Sequence, residues 1–468
     1  MSLLKQIKLE KILKVLLKIF LFVLPWQTVY IFREVFLGGT KIEYWTLNFY
    51  ATEVLLWLIV LVFMSWYWKN FKFQIFTASV GSRLRVGTNF KFQVSRDRVF
   101  VFSVLLFIIY HLSSIIWATD KSLALQQSLR VMEAVLLFFI VFLGPLKSKE
   151  VVKYLLLGSL LPAVLGIGQF LLQNTFACKW LGLVKHVVCE PGSSVIVGES
   201  IGRWLRAYGP FTHPNVFGGY LAIVILSYCY IVFGEKNSEE KKSGLLLRLI
   251  AYSLLLTALF FTFSRSAWLA MFIGLLVLLF FYLLSKPPWH FVSAPPSEGG
   301  DKRGYLFLIP YSLFLIILFF PLVQTRLLGG SAHEVASVTE RVSGYEDAWQ
   351  IFKMQPWFGV GAGNYTVASY NLNSSLDPWL IQPVHSVELL LLVELGILGV
   401  SLLLLAIVLF ITYHISHIKC CRDCIVWYVV CVTCYVILAS FDHYLYTSYV
   451  GLALSGIYWG LIIRDFHS

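Results

Sequence analysis

The chain has 468 residues, of which 58% are apolar and 13% charged; its mean hydropathy is +0.77 and its formal net charge at pH 7 is +12. This composition excludes a soluble globular domain and describes an integral membrane protein built from many apolar stretches, each near the roughly 20 residues that cross a bilayer. The positive charge does not make it a nucleic-acid binder. Its basic residues are divided among short connections and do not form one stripe with interleaved aromatics, so the partners they suit are anionic lipid heads.

In chain order, predicted spans fall at 13–32, 49–68, 99–117, 130–146, 154–173, 214–233, 245–263, 266–285, 305–323, 385–413, 425–441 and 447–464. The expected fold class is therefore all-α: a polytopic membrane helical bundle of about twelve transmembrane helices. The basic start of the first segment has the look of a secretory signal, but no small-residue cleavage site follows it, so it reads as a retained helix. Lys5, Lys8, Lys11, Lys14 and Lys18 precede the first span, and the connection after the second carries Lys69, Lys72, Arg83, Arg85, Lys91, Arg96 and Arg98. With both ends cytoplasmic, inside segments hold about 25 of the 37 Lys and Arg residues, as the positive-inside rule demands. Two connections are long. The cytoplasmic linker 287–303 is rich in Pro, Gly and Ser, and the segment 324–384 faces outward as a partly helical loop. Within that loop Val338, Arg341, Val342, Tyr345, Trp349, Ile351 and Phe352 have helical spacing, which predicts an amphipathic helix over 337–354 on the membrane interface. The run PWFGVGAGNY at 356–365 has the glycines of a phosphate loop but neither a preceding strand nor a following Lys-Ser/Thr, so it reads as turns.

Three polar islands then stand out at 203–215 (RWLRAYGPFTHPN), 264–265 (SR) and 383–388 (PVHSVE). On this topology each lies at the outer face, where a helix is about to re-enter the bilayer. Helix N-termini carry unpaired N–H groups and a partial positive charge, so several of them together favour an anion. Arg206, Arg265 and His385 precede or open three such helices, and the guanidinium fork suits phosphate oxygens. Taken singly, an interfacial arginine snorkels to lipid phosphates and a histidine caps a helix. Taken together, the arginines make an anion site in which His385 has the pKa range to accept a proton. Glu388, one turn on, is placed to orient His385 or to sit among lipid heads; His213 and Asn215 flank Pro214, a good first helical residue.

The strings RAYGPFTHPNVFGGYL, FTFSRSAWLA, ERVSGYEDAW with PWFGVGAGNY, and PVHSVELLLLVELGILG together resemble, in order, the O-antigen ligase and polymerase superfamily over about residues 200–400. The resemblance implies a metal-independent membrane glycosyltransferase without cofactor, in the cytoplasmic (inner) membrane with its site facing outward. It would move a glycan from a polyprenyl diphosphate carrier to a hydroxyl of a glycan, lipid or protein acceptor. It implies diphosphate binding by Arg206 and Arg265, a catalytic role for His385 and a further substrate-side arginine in Arg341; Arg203, His213, Asn215 and Glu388, from the same polar islands, complete the expected substrate-side set. Ser386 stands where the family commonly has Asn. The implied organisation is 1–200 as N-terminal transmembrane helices, 201–413 as the ligase-like core and 414–468 as C-terminal helices.

Two alternatives stay open. A lipid-linked glycan flippase or other transporter fits twelve spans, and GSRLRVG at 81–87 resembles in part the loop motif of major-facilitator transporters. Mid-span ionisable residues, which transporters need, are few, Glu394 being the clearest. A cell-wall polymerase of the shape, elongation and division type is the closer enzymatic rival. Cys178 and Cys189 share an outer loop and suit a disulfide in an oxidising compartment. His414, His417, Cys420, Cys421 and Cys424 form a metal-like group that reads as reduced, unligated thiols and surface imidazoles.

Overall fold

A computed structural model describes residues 2–81, 88–190, 192–198, 201–233, 245–284, 308–328, 332–375, 377–415 and 422–467. Within them the chain is mostly helical, with a few short strands. The first helix, α1 (Ser2–Val23), ends where Pro25 disfavours helical backbone in the residue before it. The run that follows is rich in β-branched and aromatic residues and forms β1 (Val29–Arg33), then β2 (Phe36–Leu37), β3 (Thr40–Lys41) and β4 (Leu47–Tyr50). β1 pairs antiparallel with β4, Val29 opposite Tyr50, which corrects the predicted first span: its last residues are strand.

Four long helices come next: α2 (Ala51–Gly81), α3 (Thr88–Ser113), α4 (Lys121–Leu143) and α5 (Ser148–Leu172). Asp120 starts α4, its carboxylate accepting the backbone N–H groups of Ser122 and Leu123. The hairpin β5 (Val195–Gly198) and β6 (Gly202–Leu205) leads into α6 (Pro214–Phe233), α7 (Leu245–Phe261) and α8 (Arg265–Leu284). Then α9 (Leu308–Leu318) and α10 (Phe320–Leu328) meet at an 86° bend beside Pro321, whose missing N–H breaks the helical ladder. The predicted straight span at 305–323 is thus a broken one. After it come α11 (Ala332–Met354), α12 (Tyr365–Leu372), α13 (Val387–Ile415), α14 (Arg422–Phe441), α15 (Tyr444–Thr447) and α16 (Tyr449–His467).

By length and composition five of the described helices can cross a membrane, lying within α2, α3, α4, α5 and α13, or six if the bent pair counts as one. Parts of α6, α7, α8, α14 and α16 are apolar but shorter, so this measure does not reach the twelve spans read from hydropathy. Linker 287–303, most of the GSRLRVG run and the side chains of the His414 to Cys424 group lie outside the described residues.

Packing brings distant segments together: α16 lies on α4, α14 on α8, α13 on α3, and α5 against both α1 and α7. The glycines of PWFGVGAGNY form turns that dock on α13. Gly363 and Tyr365 donate their N–H groups to the Glu394 carboxylate, and Gly361 donates to the Glu394 carbonyl at 2.9 Å. Gly396 kinks α13 at this point with φ +65, and a Cβ there would stand 2.4 Å from the Trp357 backbone. Glu394, the mid-span acid, therefore serves to hold the loop. The predicted helix over 337–354 is present as part of α11, but its exposed side mixes Val338, Val342, Tyr345 and Trp349 with Glu340, Glu346 and Gln350, so it lacks the separate apolar face expected of an interfacial helix.

Candidate active site

The turn between α7 and α8 organises the site. Phe261 stacks on Phe170 at 4.0 Å between centroids, and Phe263 packs on Phe170, Phe260 and Trp268. Aromatic pairs of this kind contribute about 0.5–1.5 kcal/mol each beyond their buried area. The cluster holds Phe263 at φ +47, a conformation that costs a non-glycine residue energy and that recurs at functional sites. Two successive carbonyls of this turn receive arginines. Arg206 Nε donates to Thr262 O at 2.7 Å, and Arg326 Nε donates to Phe263 O at 3.0 Å. Ser264 precedes α8, its Oγ accepting the Ala267 N–H, and Arg265 is that helix's first residue.

Arg206 follows directly on β6 and is only 4% exposed. Its Nη2 donates to Asn215 Oδ1 at 2.6 Å, and Asn215 Nδ2 donates in turn to Asp442 Oδ2 at 2.7 Å. Close approach of the backbones makes this relay possible. A Cβ on Gly218 would meet Ser264 and Thr262 at 2.9 Å, and one on Gly219 would meet the Tyr444 hydroxyl, so the glycine pair lets α6 lie against both the arginine turn and α15.

Arg326 is buried and bound through Nη1 to both carboxylate oxygens of Glu334, at 2.6 and 2.8 Å; Arg265 lies 3.6 Å from the same carboxylate. Arg341, on α11, is half-buried and has no ion pair among the described residues. Its charge nevertheless acts on Arg206, Arg265, His385, Asp442 and His443, lowering the pKa of each. Burial is the largest force pushing the Arg206 guanidinium down from its ordinary range, with Arg326 and Arg341 adding like-charge repulsion. A guanidinium does not shed its proton under such pressure. The group relieves it instead through carboxylates or a bound anion.

On the other side of the relay, one ligand-capable atom from each of His385, Asp442 and His443 lies within 4.8 Å of the others, and the two imidazoles meet edge to face at 5.3 Å. Burial favours a protonated Asp442, but His443, His385, His213 and Arg341 outweigh it and hold the carboxyl below its usual value. Burial lowers His443 to about 4 and also lowers His385, where Asp442 pulls upward and Arg341 downward. At neutral pH the cluster is a carboxylate beside neutral imidazoles. His385 has no ring hydrogen bond among the described residues, and its backbone carbonyl accepts the Tyr345 hydroxyl from α11 at 3.2 Å. The same three residues form the one described group with the spacing of metal ligands, although Asn215 and the His443 N–H already occupy the two Asp442 oxygens.

The remaining sequence candidates divide. Asn215 is at the centre as the link from Arg206 to Asp442. His213 lies beside it but is committed: its Nδ1 accepts the Asn215 N–H, so Nε2 carries the proton and donates to Ser194 Oγ at 2.7 Å. Burial lowers its pKa, and Arg206 lowers it further. Arg203 is exposed and bonds the Val188 carbonyl, apart from the cluster among the described residues. Glu388 accepts hydrogen bonds from Ser386 and Ser440, so the carboxylate facing His385 is not Glu388 but Asp442. Arg326, Asp442 and His443 were not singled out by sequence. Asp442 and His443 sit in FDHYLY between the last two apolar stretches, a fourth polar island of the same kind as the other three. Cys178 and Cys189 are both free thiols here.

No curated protein matches the chain. Residues 250–404 match the family model described as O-Antigen ligase, a stretch that contains Arg265, Arg326, Glu334, Arg341 and His385. Over this stretch, about a third of the chain, the protein is similar to the O-antigen ligase family, and its long apolar helices make it an integral membrane protein.

Proposed function

We propose that the protein is a membrane glycosyltransferase that takes a glycan from a polyprenyl diphosphate and joins it to an acceptor hydroxyl at the extracytoplasmic face of the inner membrane. The observation that carries this reading is the gathering of Arg206, Arg265, Arg326 and Arg341 around Glu334 and Asp442, with His385 across from them. Four cations against two anions leave a positive excess, beside the start of α8, that a diphosphate balances.

In the reaction the acceptor oxygen forms a bond to the anomeric carbon as the bond from that carbon to the diphosphate oxygen breaks. The departing diphosphate keeps the electron pair, and the acceptor's proton passes to His385. Direct displacement inverts the anomeric configuration. Asp442 stabilises the imidazolium that forms, and Arg206, Arg265 and Arg341 stabilise charge growing on the leaving group. A single preorganised donor of this kind is worth about 3 kcal/mol of barrier. A diphosphate leaves without protonation by an acid, so no second carboxylic acid is required. We assign the His385, Asp442 and His443 group to proton handling rather than to a metal, because Asp442 is already engaged and Arg206 and Arg341 oppose a second cation. The hydropathy pattern supports a multi-pass arrangement of about twelve spans with the arginine cluster outward.

Depleting the protein in its native cells tests the reading against a flippase. A transferase predicts loss of the surface glycan while the polyprenyl-diphosphate glycan builds up in the outer leaflet, open to impermeant reagents. Build-up confined to the inner leaflet would instead favour transport.

A further inference from the structure

A cleft of about 490 Å³ opens between β1, the segment before β4, the start of α4 and α12. That volume is within the roughly 300–1,000 Å³ usual for small-molecule sites. Its wall carries an indole, a carboxylate and two cations. Arg33 donates to both Asp120 oxygens, at 2.8 and 3.4 Å, and to the Trp45 carbonyl at 3.3 Å, while its Nε is buried without a partner. Lys121 lines the cleft with an exposed side chain. The walls are pinned by the loop that docks on α13. Trp45 Nε1 donates to Thr366 Oγ1 at 3.1 Å, and Asn364 accepts the Asp120 N–H at 2.7 Å while donating to the Asp120 carbonyl.

The residue before one of the cleft's wall residues reaches the candidate site. Tyr44, next to Trp45, sets its ring edge-on against His443 at 5.7 Å. Resting on the function proposed above, we infer that the cleft is the acceptor subsite and that it holds a pyranose unit of the acceptor glycan. A sugar ring offers a C–H face for the half-buried indole. Its hydroxyls can accept from Lys121 and donate to Asp120, and the mixed charge of the wall fits a polyhydroxyl ligand better than a bare anion. An acceptor chain seated there passes Tyr44 on its way to His385, which puts its terminal hydroxyl at the proton acceptor. Val367 forms the far wall. Filling it with a larger side chain blocks the cleft without removing a hydrogen bond of the reaction centre.

The full chain in phosphatidylcholine nanodiscs tests this by saturation-transfer NMR with trisaccharides of glucose, galactose, mannose, rhamnose and N-acetylglucosamine. The inference predicts that at least one trisaccharide binds the wild type, that saturating pyrophosphate does not displace it, and that Val367→Trp and Lys121→Ala each weaken it at least tenfold. Melting temperatures identify any variant that fails to fold. Inorganic phosphate is the competing probe: displacement of every trisaccharide by phosphate would overturn the inference in favour of an anion site. Binding of no trisaccharide, or equal binding by wild type and both folded variants, would overturn it as well. Pyrophosphate binding followed by phosphorus NMR reads the arginine cluster separately, so loss of that signal alone counts against the proposed function and not against the cleft.

Discussion

At the scale of single residues, the least expected member of the site is Asp442. The sequence supplied an acid for His385 one helical turn away, in Glu388, but two serine hydroxyls engage Glu388 and the acid that acts on His385 comes from the far end of the chain. A prediction separates the two. Asp442 raises the His385 pKa, so Asp442→Asn removes that support and leaves burial to lower the imidazole further. The acid limb of the pH–rate profile should move to lower pH while the plateau falls on the order of 10²-fold, within the usual worth of acid–base help. Glu388→Gln should leave the limb in place. An unmoved limb in Asp442→Asn would remove Asp442 from the proton pathway. The arginines were legible in sequence because a permanent charge is costly where lipid begins. Arg326 was not, since it stands beyond the predicted end of a span and only the fold shows its carboxylate partner.

At the scale of elements, the site depends on interruptions: the Phe263 turn offers carbonyls to two arginines, the Gly396 kink receives the glycine loop, and the Pro321 bend sets off the short helix that carries Arg326. Hydropathy marks apolar length but is blind to such breaks, and for that reason 305–323 read as one straight span. The end of the first predicted span failed for a related reason: residues 29–32 are apolar enough for a membrane, yet they are spent on pairing with β4. The docked glycine loop gives a test at this scale. Gly396→Ala forces a side chain into left-handed backbone and against Trp357, and should cost about 2 kcal/mol or more. That loss should appear as a lowered melting temperature in detergent. Gly168→Ala, where a Cβ meets nothing within 4 Å, is the matched control and should not destabilise. Equal melting of the two variants would show that the kink does not hold the loop.

At the scale of the whole molecule, orientation rests on charge bias and on the common end at which α6, α8 and α13 begin. A single cysteine placed at Ser386 in an otherwise cysteine-free chain should react with impermeant maleimide added from outside whole cells. Labelling only after the inner face is exposed would invert the topology and place the arginines in the cytoplasm. The central claim, that the arginines and His385 transfer a glycan from a polyprenyl diphosphate, is tested most directly by purified protein given that donor and an acceptor glycan in the presence of EDTA. The account predicts transfer by the wild type undiminished by the chelator, with release of polyprenyl diphosphate. Transfer by Arg206→Ala, Arg265→Ala and His385→Ala should fall at least 10²-fold at temperatures where melting curves show each variant folded. Wild-type rates in all three folded variants would contradict the account, and abolition of wild-type transfer by the chelator would return His385, Asp442 and His443 to the role of metal ligands.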